Sequence, residues 1–336
     1  MEYGIPGTGE LGELCGFVKG YMSCPGGHYT QPIRNSCQRV ECPECYINWS
    51  AKAARRVTDV LRGAQVAYRN AGDQNIESTD WKQMVKERRK VRRINHFVLS
   101  PDKYWMKDGE CLNSVYKRLY LFLKRNGMFT GGFVVYHPYR IKGPIRVELQ
   151  QMIKNDALKL NREYGGLWDM IHKNALGLCS WRDYVYFSPH FHLLCFGGLP
   201  RADILFAKTG WVYKNLGKRD NKIYIDERGV IIDEVKRTAQ YLLTHCCVQY
   251  SDKGRIYKTY RFYGLCSPSK LRVQKEFGVP VIRKVYKSVL KCPVCGAELV
   301  HCAPIEEGYY PLYDNEGLER TVKTKLVFRN YEVIEK

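Results

Sequence analysis

An α+β fold, a central antiparallel sheet flanked by helices, is what this sequence predicts. Three observations carry it. Strand-like and helix-like segments follow one another without a regular βαβ repeat. Strongly β-forming runs are stopped by prolines, at Pro101 and Pro138. Two C-x2-C knuckles, Cys42–Cys45 and Cys292–Cys295, lie towards opposite ends of the chain. The expected organisation is a flexible arm over 1–23 and a zinc-binding segment with a basic helix over 24–93. A mixed sheet-and-helix domain over 94–265 and a zinc-ribbon-like region over 266–336 follow.

Residues 1–23 are glycine-rich and lack periodicity. Trp49, Ala53, Val57, Val60, Leu61 and Ala64 recur at helical spacing and predict an amphipathic helix over 49–69. Residues 70–78 are polar and read as a loop. His96–Ser100 predicts a strand ended by Pro101, 112–123 a helix, and 131–137 a second strand. Residues 149–163 read as helix. Tyr184–Phe196 predicts a strand pair or one kinked strand, 211–215 another strand, 234–248 a helix, and 257–263 a return to β structure.

The chain has 336 residues, with 54 lysines and arginines against 34 aspartates and glutamates, a formal charge of +20. That balance suits a polyanionic partner, nucleic acid first and an anionic membrane surface second. No run approaches the ~18 apolar residues of a membrane span. Met1–Gly20 lacks the basic-then-apolar pattern of a secretory signal, so a cytoplasmic protein is expected. No G-x-x-x-x-G-K-[ST] loop is present, which excludes that kind of ATP-driven helicase module. Residues 82–93 hold seven basic side chains (Lys82, Lys86, Arg88, Arg89, Lys90, Arg92, Arg93) and one acidic, Glu87. A charge run of this kind is often a solvated face, but its density and single sign favour phosphate contact.

Fourteen cysteines in a long chain without a signal point to reduced thiols and metal ligands rather than disulfides. Cys42 and Cys45 can bind one Zn²⁺ from a tight turn, with Cys24 and Cys37 completing a tetrahedron and His28 the alternative to Cys24. Cys292 and Cys295 suggest a second zinc, completed by His301 and Cys302, with Cys266 as another candidate. One or two structural Zn²⁺ ions are therefore expected. The seven scattered cysteines read as small buried hydrophobes.

His190 and His192 are two apart on an apolar run, so on a strand their imidazoles share a face. Such a pair can hold a divalent cation, although two ordinary core histidines would look the same. His137, ending its own strand, is the first candidate for a third ligand, and His245 the second. Tyr241 lies on the helix over 234–248, one turn after Lys236 and Arg237 and four residues before His245. A phenol has a free pKa of about 10 and attacks phosphorus only where its surroundings help.

His96-Phe97-Val98-Leu99-Ser100-Pro101, then Ser188-Pro189-His190-Phe191-His192-Leu193-Leu194, then Ala239-Gln240-Tyr241-Leu242-Leu243-Thr244-His245 resemble, in order, the three motifs of HUH endonucleases. The pattern is most similar to rolling-circle replication initiators of archaeal plasmids and viruses. Those proteins also carry an early zinc segment like 37–49 and a late C-x-x-C-G like 292–296. The resemblance spans roughly residues 24–300.

The resemblance implies that His190 and His192 bind Mg²⁺ or Mn²⁺, with His137 or His245 as third ligand. It implies that Tyr241 cuts one DNA strand and stays joined to the 5′ phosphate. Where many relatives have lysine three residues after the tyrosine, this chain has Thr244. Where two-tyrosine relatives have their second tyrosine, it has His245, which implies a single-tyrosine enzyme. The implied substrate is single-stranded or melted DNA at a replication origin, and the implied partners are a host helicase and polymerase. Tyr136, Tyr139, Tyr184, Tyr186 and Trp211 are candidates for stacking unpaired bases, and equally for ordinary core positions. A transposase or relaxase with the same chemistry, and a zinc-containing DNA-binding regulator without catalysis, are the alternatives.

Overall fold

The structure, a computed structural model, describes residues 3–13, 15–70, 93–102, 104–128, 130–155, 166–197, 200–219, 223–225, 231–269 and 292–302. The elements, in chain order, begin with strands β1 (Val18–Ser23) and β2 (Thr30–Arg34), helix α1 (Tyr46–Asn70) and strand β3 (Asn95–Ser100). Helix α2 (Leu112–Arg125), strand β4 (Gly131–Ile141) and helices α3 (Gly143–Asn155) and α4 (Leu167–His172) follow. Then come β5 (Val185–Phe196), α5 (Ala202–Thr209), β6 (Val212–Lys218), β7 (Ile223–Ile225) and β8 (Ile231–Asp233). Helix α6 (Glu234–Leu243) and strands β9 (Tyr260–Gly264) and β10 (Val300–Cys302) complete the set. The architecture is α+β, as the sequence predicts. Among the described residues no helix is long and apolar enough to cross a membrane.

The chain divides into two compact units, one of residues 1–11 with 38–283 and one of 12–37 with 284–336. The larger unit is built on a five-stranded antiparallel sheet of order β6-β3-β5-β4-β9. Period-two alternation divides its side chains between two cores. Phe97, Leu99, Val134, Tyr136, Phe191 and Leu193 pack on one face with Leu112, Val115 and Leu119 of α2. Phe133, Val135, Leu194 and Phe196 pack on the other, under Ala54, Val57 and Leu61 of α1 and Val235, Ala239, Leu242 and Leu243 of α6. Gly132 permits the tight β4–β5 contact, because a Cβ there would fall 2.4 Å from Cys195 Cβ and 2.5 Å from the Leu194 carbonyl. The smaller unit is a three-stranded sheet of order β10-β1-β2.

Several boundaries differ from expectation for local reasons. Residues 1–23 are not a loose arm throughout. Tyr3 and Ile5 are buried in the main core, Gly4 bridges to Val248, and 18–23 form β1. The segment predicted over Tyr184–Phe196 forms one strand from Val185, with a register shift between the pairs His137↔His190 and Tyr139↔Phe187. Pro138 and Pro189 sit at that irregularity and cannot donate to the ladder. The helix predicted over 234–248 stops at Leu243. Thr244 caps it, its Oγ1 donating to the Tyr241 carbonyl at 2.8 Å, and the Cys247 amide then bonds the Tyr136 carbonyl of β4. The helix predicted over 149–163 begins at Gly143, and its part beyond Asn155 lies outside the described residues.

Candidate metal and nucleophile site

Strand register assembles the site. In β4 and β5, His137 pairs with His190 and Val135 with His192, so all three histidines share a face with Val135 and Leu194. His96 of β3 stands on that same face, its pairing partner being Leu194. His137, His190 and His192 each bring a ring nitrogen within 4.8 Å of the others. The set contains no carboxylate and could hold a metal ion such as zinc.

The chemistry of the donors fits a cation. His137 is fully buried, and neither of its ring nitrogens has a hydrogen-bond partner among the described residues. The Leu242 backbone favours the protonated ring, an effect smaller than burial. His190 Nδ1 lies 2.8 Å from the Ser188 carbonyl. A carbonyl only accepts, so Nδ1 carries the proton and Nε2 keeps its lone pair. His192 Nδ1 lies 2.9 Å from His96 Nε2. Burial first, and neighbouring imidazoles second, hold His137 and His192 well below the usual histidine range. Burial and then the Arg140 guanidinium bring His190 down to about 4, and burial with Arg219 does the same for His96. At neutral pH all four are uncharged bases, the form that binds metal.

Tyr241 stands at the rim. Helix α6 buries Val235, Ala239, Leu242 and Leu243, leaving Tyr241 53% exposed on the opposite side. The helix is anchored at its start by Asp233, which accepts from the Val235 amide at 2.8 Å. The same carboxylate takes two bonds from Arg62 of α1, each 3.2 Å, so the cap also ties the two helices together. The Tyr241 ring centroid lies 4.8 Å from that of His245, and His245 lies 4.3 Å from His137. His245 is itself stacked on Trp168 of α4, 4.6 Å apart and 10° from parallel. The nucleophile candidate therefore reaches the three-histidine group through His245, the alternative ligand. Partial burial raises the Tyr241 pKa, and the Arg146 guanidinium works against that rise.

The register shift in β4 has a second effect. Tyr136, Tyr139 and Ile141 all face the α2-side core, so the alternation changes phase between His137 and Tyr139. Arg140 thereby takes over the histidine face, where its charge acts on His190 and His192. Arg140 and Arg146 are cations the sequence reading did not single out, and neither lies in a basic run. Of those it did, Arg237 is exposed one helical turn before Tyr241 and Lys236 is half-buried. Lys82, Lys86, Arg88, Arg89, Lys90 and Arg92 lie outside the described residues, and Arg93 is exposed. Of the proposed stacking aromatics, Tyr136, Tyr139, Tyr184 and Trp211 are buried, and only Tyr186 is substantially exposed.

The cysteines sort differently from expectation. Cys24, assigned to the first zinc set, lies with the second. Strand β1 ends at Ser23, and the turn closed by the Cys24 amide on the Tyr29 carbonyl leaves the thiol 3.4 Å from Cys295 Sγ and 3.8 Å from His28 Nδ1. Cys24, His28, Cys292 and Cys295 form one ligand-type group. His301 and Cys302, expected there, are instead residues of β10, paired with Met22 and Tyr21 of β1, and this group of four forms without them. Cys37, expected with Cys42 and Cys45, belongs to the smaller unit, as does Cys15, while Cys42 and Cys45 belong to the larger one. Cys15 reads in sequence as one of the scattered thiols. Cys266 is fully buried in the core beneath α1 and α6.

No family model matches this chain, and neither a curated protein nor a solved structure resembles it at a significant level.

Proposed function

We propose that this protein nicks and rejoins single-stranded DNA through Tyr241, in the manner of an HUH endonuclease. One observation carries the reading. A half-exposed phenol stands beside a group of neutral imidazoles, two of them buried and His192 partly so, flanked by Arg140 and Arg146.

Tyr241 Oη attacks the scissile phosphorus and gives up its phenolic proton, the P–O3′ bond breaks, and the departing 3′ oxygen takes up a proton, so none is gained or lost overall. The products are a 5′-phosphotyrosine and a free 3′ hydroxyl. One phosphodiester replaces another, so rejoining needs no ATP. His137, His190 and His192 would hold the divalent cation, Mg²⁺ or Mn²⁺, and with three neutral ligands its full charge is left to stabilise the phosphoryl oxygens. Imidazole donors favour Mn²⁺ over Mg²⁺. Arg140 and Arg146 add fixed positive charge around the same phosphate, and His245, wedged against Trp168, positions the tyrosine ring. The 3′ hydroxyl is the primer that a rolling-circle initiator hands to a host polymerase, with a host helicase opening the duplex.

Incubation with a randomised pool of labelled single strands and Mn²⁺ should give a covalent protein–DNA adduct that survives a denaturing gel. Tyr241→Phe should abolish the adduct while DNA binding survives. Adduct formation by that variant at the wild-type rate would overturn the assignment. Mapping the cut to a replication origin, rather than an element end, separates an initiator from a transposase.

A further inference from the structure

The larger unit carries a second concavity on the sheet face opposite the histidines. Its volume is about 460 Å³, within the range of small-molecule sites. The floor is Trp211, 2% exposed, stacked on Phe122 at 3.8 Å and 15° and met edge-on by Trp105 at 4.7 Å. Phe122 and Trp105 are only partly buried, so both offer ring surface to the cavity. Arg118 lies over the Trp105 ring, 4.5 Å from its centroid, and is held there by Glu110 at 2.6 Å. Arg118, Phe122 and Arg125 follow one another along a single face of α2. Arg125 and Lys208, the latter from α5, are both exposed at the wall. Among the described residues, no acidic one lines the cavity.

We propose that this pocket binds a nucleotide unit, free or within a single strand. Flat ring surface suits a base of any identity, because every base has a π face. Arg125 and Lys208, without an ion-pair partner among the described residues, suit the phosphate attached to it. An uncharged apolar ligand would leave the charges unused, and inorganic phosphate would leave the rings unused. This goes beyond the nicking reading and does not depend on it, since none of these residues belongs to the histidine face.

The test uses the full chain and follows tryptophan fluorescence as dTMP, thymidine or inorganic phosphate is added. A parallel arm photo-crosslinks a short single strand containing 5-iodo-deoxyuridine. The R125E/K208E double variant changes only exposed side chains, and Phe122→Leu removes a stacking ring. Binding of dTMP that falls at least tenfold in R125E/K208E and about tenfold in Phe122→Leu supports a free nucleotide as ligand. Absence of dTMP binding, with crosslinks at Trp105 or Phe122 that vanish in the double variant, supports a strand as ligand. Phosphate competing as well as dTMP overturns the proposal. So do crosslinks confined to other residues, or variants that keep wild-type affinity in both arms. Adduct formation at Tyr241 reads the nicking reaction separately, so failure of either idea leaves the other standing.

Discussion

His96 Nε2 lies 2.9 Å from His192 Nδ1, and this contact decides which nitrogen of His192 is left to bind a cation. For His192 Nε2 to offer a lone pair, its Nδ1 must carry the proton and donate to His96. The proton of His96 then sits on its own Nδ1, which is buried and has no partner among the described residues. His96 would thus orient a candidate ligand at a cost to itself, the usual arrangement behind a metal-binding imidazole. His96→Ala should weaken Mn²⁺ binding about tenfold or more in calorimetric titration. Unchanged affinity would show that His192 needs no such support.

His137 supplies a test of a different kind. A buried ring whose two nitrogens have no hydrogen-bond partner among the described residues destabilises the metal-free fold by roughly 1–3 kcal/mol. His137→Leu should therefore leave metal-free stability to urea unchanged or higher by about 1 kcal/mol, while abolishing any stabilisation by added Mn²⁺ or Zn²⁺. A variant that is several kcal/mol less stable yet still responds to metal would make His137 a packing residue.

Acid should act on the metal-free protein through the same face. His96 and His190 titrate near 4 in the fold, against about 6.5 in an unfolded chain. Between those values the unfolded chain binds more protons, so stability is complete above pH 6.5 and is lost as pH falls towards 4. Each of the two contributes a slope of roughly 1.4 kcal/mol per pH unit in that window, measurable by urea unfolding at pH 7, 6 and 5. A flat profile would mean that these imidazoles become charged in the fold.

If Tyr241 is the nucleophile proposed above, adduct formation should depend on pH in the opposite region. The Tyr241 pKa is raised by burial, so the phenol is protonated throughout the neutral range. Single-turnover adduct formation should keep rising from pH 6 to 9 without a plateau. Arg146→Ala removes a charge that favours the phenolate and should slow the reaction severalfold at a fixed pH. A plateau near neutrality would point to a base that removes the proton before attack.

Cys295→Ser should lower the zinc content by one equivalent per chain. The smaller unit has little else to hold it, because its described core is Cys24, Cys292 and Leu299. Loss of that ion should speed amide exchange at Cys292 and Gly296, which bond to the Ala297 and Cys292 carbonyls. Unaltered zinc content would remove Cys295 from the ligand set.

What the sequence could disclose followed from period and spacing. Two residues apart on a strand places His190 and His192 on one face, and β4, which carries His137 and runs on past the expected stop at Pro138 to Ile141, lies beside them. Helical period leaves Tyr241 outside while Leu242 and Leu243 turn in. Other features depend on register between distant strands, which no local pattern encodes. His96 stood inside a quoted motif but acquires a role only when β3 is laid against β5. Arg140 faces the histidines only because the β4–β5 pairing slips beside Pro138 and Pro189. Cys24 falls in a glycine-rich stretch, and nothing in its spacing says that it meets Cys292 and Cys295.

Strand β10 pairs with β1, and Cys24 and Cys295, whose sulfurs lie 3.4 Å apart, are separated by 271 residues. During synthesis at roughly 5–20 residues per second, Cys24 waits on the order of 15–50 s for that partner to emerge. Through that interval Cys24 and His28 are an open half-site, able to take a cation or an oxidant before Cys292 and Cys295 arrive. The smaller unit is thus the last part of the described chain able to fold, and its assembly signals that translation has passed residue 302.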